Sequence, residues 1–153
     1  MKARTIASIV VLCLVASGIA LASDVMGTWK LNEAKSKFAP GATKNHTVVY
    51  EAAGDSVKVT ADGTDGEGKP VHVEWTGKFD GKEYPVTGDA NSDMRSYKKA
   101  DDNTLELTAK KGGKVTASGK IVVSADGKSR TVTVNGTDAK GNKYTNVAVF
   151  DKQ

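Results

Sequence analysis

The chain has 153 residues, of which 22 are basic, 18 acidic, 16 glycine and one cysteine, Cys13. A net charge of +4 spread over that length is too weak to argue for nucleic acid or an anionic membrane surface as a partner. One cysteine and two histidines also exclude a disulfide framework and a zinc-type Cys/His cluster.

Residues 1–22 read as a cleaved secretory signal peptide. Lys2 and Arg4 precede an apolar run from Ile6 to Leu14, and Ala20-Leu21-Ala22 offers small residues where a signal peptidase reads them. The run is too short and wrongly flanked for a stable membrane span. Leu12 stands before Cys13 where a lipoprotein signal needs a small residue. The expected product is exported, periplasmic or secreted, and residues 23–153 form a single domain. Processing removes Cys13, Lys2 and Arg4, leaving 20 basic against 18 acidic residues and a charge of +2. Without disulfides, an apolar core must hold the domain together.

Gly27 to Leu31 is predicted as a first strand with Trp29 and Leu31 on one face. Asn32 is placed to cap a helical turn over Glu33 to Phe38, with Glu33 and Lys37 paired at i,i+4. Pro40-Gly41 then stops it. From Thr43 onward, short apolar-polar alternations give single-sided strands. Val48-Tyr50, Val57-Val59, and Val71-Val73-Trp75 running on to Phe79 form one apolar face. Leu105-Leu107-Ala109, Val115-Ala117 with Ile121-Val123, Val132-Val134 and Val147-Val149 continue it. Lys58, Thr60, Glu74, Glu106 and Thr133 mark the opposite, wet face. Asp80-Gly81 and Asp126-Gly127 are hairpin dipeptides. Gly63-Thr64-Asp65-Gly66-Glu67-Gly68 is echoed by Gly136-Thr137-Asp138-Ala139-Lys140-Gly141, which predicts two similar hairpins. No segment carries a helical period long enough for a βαβ unit.

About nine strands joined mostly by tight turns predict an all-β, up-and-down antiparallel β-barrel, in which closure removes exposed edges. A β-sandwich is the alternative, and it would need longer crossings. The inward set is rich in valine and includes Gly77 and Gly119. That predicts either an interior cavity or a core closed by side chains alone.

Gly27-Thr28-Trp29 heading a meander of short strands resembles the Gly-x-Trp motif of the lipocalin and fatty-acid-binding-protein superfamily. The longer run from Gly27 through Lys35-Ser36-Lys37-Phe38 to Pro40-Gly41 resembles small exported bacterial proteins described only as lipocalin-like. The resemblance implies a calycin-type barrel in which Trp29 packs at the closed end beneath an arginine from a late strand, the position of Arg130. The Arg-x-Tyr pair that the fatty-acid-binding branch carries on its last strand is absent there. Arg95-Ser96-Tyr97 has the same pattern some strands earlier.

Arg95 and Tyr97 share a strand face and can hold the polar end of a ligand by charge-assisted hydrogen bonds. Lys99 lies on that face too, which allows an ordinary solvated surface instead. Trp75 and Phe79 can line a cavity or simply pack the core, and Tyr50 the same with a hydroxyl to satisfy. Tyr84, before Pro85, reads as a loop or strand-edge residue. His46 and His72 read as solvated. Asp89, Asn91 and Asp93 match the start of an EF-hand loop, but Met94 and Ala100 stand where glycine and glutamate are needed. Asp62, Asp65 and Glu67 lack the alternating spacing, so no metal site is expected. No nucleophile elbow or triad spacing is present, and no enzyme or cofactor is expected. The expected function is non-covalent binding of a small apolar or amphipathic molecule inside a monomeric barrel. The alternative is a filled-core module that acts through its outer surface, as an envelope interaction or inhibitor-like barrel.

Overall fold

A computed structural model describes residues 24–153, so the leader expected over residues 1–22 lies outside the described residues. Ten strands close into one antiparallel barrel: β1 (Gly27–Leu31), β2 (Lys44–Ala53), β3 (Ser56–Thr64), β4 (Pro70–Gly77), β5 (Asp80–Thr87), β6 (Met94–Lys99), β7 (Thr104–Lys111), β8 (Lys114–Val123), β9 (Ser129–Thr137) and β10 (Lys143–Lys152). Each strand pairs with its neighbour in sequence, and β1 pairs with both β2 and β10. The barrel is therefore up-and-down and has no free edge, which settles the choice against a sandwich.

The strand absent from the sequence reading is β5. Lys82-Glu83-Tyr84-Pro85 shows no apolar alternation, so the pairing with β6, which joins Glu83 to Ser96, Tyr84 to Arg95 and Pro85 to Met94, defines it. Tyr84 thus belongs to a strand, and Phe79 sits in the turn between β4 and β5 instead of extending β4. The ladder between β4 and β5 holds only two residue pairs, Glu74 with Thr87 and Trp75 with Val86.

Three local expectations are corrected. The helical turn is a 3-10 turn over Glu33–Lys35, capped by the Asn32 side chain accepting from the Lys35 amide at 3.2 Å. It stops early because Lys37 exchanges backbone hydrogen bonds with Val147, both at 2.7 Å, and Glu33 reaches Lys44 at 3.3 Å in place of Lys37. On β10 it is Ala148 and Phe150 that are buried, not Val147 and Val149. Val147-Ala148-Val149-Phe150 is apolar on both faces, so alternation alone does not choose between them. Val115 is 60% exposed, because the β7–β8 register shifts between Ala109 and Lys110 and carries the hairpin end out to the rim.

The two echoed segments fold as matching hairpin turns. Asp65 and Asp138 each donate their amide to the residue four along and accept two backbone amides on one carboxylate oxygen, all at 2.8–2.9 Å. Gly68 and Gly141 close them at φ of +80° and +85°, a region that glycine enters without strain.

The up-and-down path sorts the connections into two ends. The β2–β3, β4–β5, β6–β7 and β8–β9 turns lie at one end, with Val25 buried beside it. The β1–β2 excursion and the β3–β4, β5–β6, β7–β8 and β9–β10 connections lie at the other. We call these the closed and open ends.

Candidate functional site

At the closed end Trp29 is fully buried, and its indole Nε1 donates to the Val25 carbonyl at 2.8 Å. Arg130, at the start of β9, is only 2% exposed, and its Cζ lies 5.0 Å from the Trp29 ring, 4.9 Å from Tyr50 and 4.7 Å from Phe150. Three ring faces meet one guanidinium, and the negative face of each ring stabilises the cation where water cannot reach it. Its Nε and Nη1 find no acceptor among the described residues. Burial raises the Tyr50 pKa above the usual phenol value, while Arg130 beside it pulls the other way.

Beside this cage, with Trp75 level with Tyr50 through Val59, four aromatic rings stand at the seam where the β4–β5 ladder gives out. Trp75 stacks on Phe79 at 6.3 Å and meets Tyr84 and Tyr97 edge-on at 5.7 and 4.7 Å. The Trp75 Nε1 donates to the Arg95 carbonyl at 3.0 Å. Gly77 leaves no hollow here, since a Cβ at that position would strike the Tyr84 and Trp75 rings. Gly119 leaves none either, because the Thr133 carbonyl already occupies the place of its Cβ. The space expected from these two glycines is already filled.

Toward the open end β6 turns Arg95 and Tyr97 inward. Tyr97 is 3% exposed and the Arg95 side chain 18%. Lys99, on the same face, has reached the closed rim and pairs with Asp102 at 3.3 Å, which reconciles an inward strand face with a charged last residue. Along the barrel wall Arg95 is level with Ala109 on β7, Ala109 with Ala117 on β8, and Ala117 with Gly136 on β9. Alanines on two successive strands leave the arginine room to lie inside. Tyr144 faces Gly136 across the β9–β10 pair and packs over it, the usual covering of a strand glycine by an aromatic ring.

The partner of Arg95 comes from the connection 88–93 between β5 and β6. Asp89 Oδ2 accepts from Arg95 Nη2 at 2.8 Å and also from the Ser92 hydroxyl, while Oδ1 accepts from the Asn91 amide at 2.8 Å. Ser92 is 3% exposed despite lying in a loop. The connection is pinned to the β7–β8 hairpin by Asp93 donating to the Lys110 carbonyl at 2.9 Å, by Gly112 donating to Asp93 Oδ2 at 3.0 Å, and by Lys111 Nζ on the Ala90 carbonyl. Arg95 Nη1 lies 3.4 Å from the Tyr97 hydroxyl, and its buried Nε finds no acceptor among the described residues. Burial, with Asp89 nearby, raises the Tyr144 pKa.

Asp89 is the residue that sequence reading missed. In sequence it matches only the start of a calcium loop, and nothing in its spacing from Arg95 marks an ion pair. Among the described residues no group of three or more His, Cys, Asp or Glu is placed to hold a metal ion. His46 touches the Thr64 hydroxyl at 3.1 Å, and His72 sits on the outer wall between Asp62 at 2.5 Å and Glu74 at 3.5 Å. Two clefts open at this end. One of about 400 Å³ lies between β8, β9 and β10, against Ala117, Gly136 and Tyr144. The other, of about 680 Å³, lies beneath Phe38 and Pro40.

No family model matches the chain, and no curated protein matches it. Among solved structures, EF1p2_mFAP2b bound to DFHBI is similar with a TM-score of 0.50 and 10% identity over 89% of this chain and all of that one. A redesigned β-barrel, mFAP1, also bound to DFHBI, gives 0.49 and 17% over 87% of this chain and 99% of its own. An identity of 10% makes the likeness to EF1p2_mFAP2b one of fold alone.

Proposed function

We propose that the chain is a non-enzymatic, exported barrel that holds a small apolar or amphipathic molecule in the upper part of its interior. The observation that carries this reading is the level of Arg95. Ala109 and Ala117 line the wall there, beside a buried guanidinium Nε–H with no acceptor among the described residues. Apolar area on the ligand would replace water against these small side chains and the Val73 and Leu107 walls, worth about 25 cal/mol per Å² before ordering costs. The Trp75, Phe79 and Tyr97 rings form the floor, and Arg95 with Tyr97 orients a polar end. The Arg130 cage beneath is structural. That a similarly folded barrel was solved with DFHBI bound supports the small-molecule class. Export rests on the basic start, apolar run and small-residue cleavage site of residues 1–22, and the small net charge gives no electrostatic basis for a nucleic-acid partner.

The test is a neutral environment-sensitive probe, N-phenyl-1-naphthylamine, titrated into the purified protein and into Val73→Phe. Saturable binding that the substitution abolishes, with stability nearly unchanged, is the expected result. If the probe does not bind and Val73→Phe loses about 1–3 kcal/mol by overpacking, the core is filled and the outer surface is where the protein works.

A further inference from the structure

Resting on that interior-binding reading, we propose that the site selects uncharged molecules bearing a hydrogen-bond acceptor and rejects carboxylates. An arginine inside a barrel invites an anion, but this arginine already holds one. Asp89 Oδ2 sits 2.8 Å from Arg95 Nη2, and both side chains are about four-fifths withdrawn from solvent, at 18% and 19% exposure. The carboxylate is held in place independently of the arginine, by the Asn91 amide and the Ser92 hydroxyl. The connection that carries it is fastened to the β7–β8 hairpin by Asp93, Gly112, Ala90 and Lys111. An incoming anion would have to share the guanidinium with a fixed like charge in a poorly hydrated space, and like charges so placed repel strongly.

What the pair leaves over is neutral in sum but still a donor. The buried Arg95 Nε–H has no acceptor among the described residues, and an unmet buried donor is the feature a carbonyl, ester or hydroxyl oxygen relieves. The second interior cation does not undo this balance. Arg130 lies at the other end of the barrel, with its faces covered by the Trp29, Tyr50 and Phe150 rings.

The experiment displaces N-phenyl-1-naphthylamine from the full chain at neutral pH with laurate, methyl laurate and dodecanol, matched in chain length and differing in charge. Methyl laurate and dodecanol are expected to compete at concentrations lower than laurate by about tenfold or more. In Asp89→Asn, which keeps the size and the Asn91 amide bond to Oδ1 and lets Nδ2 donate to the Ser92 hydroxyl instead, laurate should gain about tenfold while the neutral ligands change little. Laurate competing as well as its ester in the unaltered protein overturns the inference, as does an Asp89→Asn variant that folds with the ratio unmoved. Should Asp89→Asn fail to fold, the ratio in the unaltered protein decides alone. Failure of the probe to bind at all instead defeats the interior-binding reading beneath it.

Discussion

Both ends of this barrel withdraw an arginine from water, and they compensate for the lost hydration by different means. At the closed end Arg130 is held by the faces of three rings, with Nε and Nη1 unmet among the described residues. At the open end Arg95 is held by the Asp89 carboxylate and lies level with the small side chains Ala109, Ala117 and Gly136. Ring faces can only stabilise a cation that stays between them, so the first arrangement is a fixed part of the packing. An ion pair beside small residues leaves a donor over, and in the proposed reading the second is the place where a ligand would bind. The same side chain is architecture in one setting and, in the proposed reading, a recognition element in the other.

This contrast predicts an order of effects. Trp29→Ala, at a fully buried position, should cost about 3–5 kcal/mol in urea unfolding, and Arg130→Ala about 2 kcal/mol or more through lost contact with desolvated rings. Asp89→Ala should cost less, about 1–2 kcal/mol, because the orphaned Arg95 keeps some access to water. An Arg130→Ala variant more stable than Asp89→Ala would erase the distinction between the two ends. The smallest effect lies outside both. Asp62, and after it Glu74, raise the His72 pKa above its ordinary value. A raised folded value means that the protonated ring contributes stability below the unfolded pKa of about 6.5, and that this contribution fades as pH climbs through the folded one. An NMR titration of the His72 ring should therefore show a midpoint above 6.5, and Asp62→Asn should bring it down.

The barrel was legible because period-2 alternation and Asp-Gly turns are local signals, and closure follows once short hairpins leave two edges to join. Where alternation fails, so does the reading. Lys82-Glu83-Tyr84-Pro85 forms β5 only because β6 pairs with it, and the continuous apolar run Val147–Phe150 hides which face turns in. Val115 looks inward until a register shift carries it to the rim. The echo of Asp65 in Asp138 was visible because each carboxylate serves amides within four residues of itself. Asp89 was not, because its arginine lies on the next strand and only the path of the connection brings the two together. Arg95 and Tyr97 could be placed on one face from spacing, but which face that was depended on the tertiary fold.

The shortest ladder in the wall has a thermal consequence. With only two residue pairs joining β4 to β5, the circumference there is closed chiefly by the contact of Trp75, Phe79, Tyr84 and Tyr97. Backbone hydrogen bonds and ring-on-ring contact respond differently to temperature, since burial of apolar surface loses strength on cooling. A hoop fastened by bonds around most of its length and by rings across one gap will therefore slacken first at that gap in the cold.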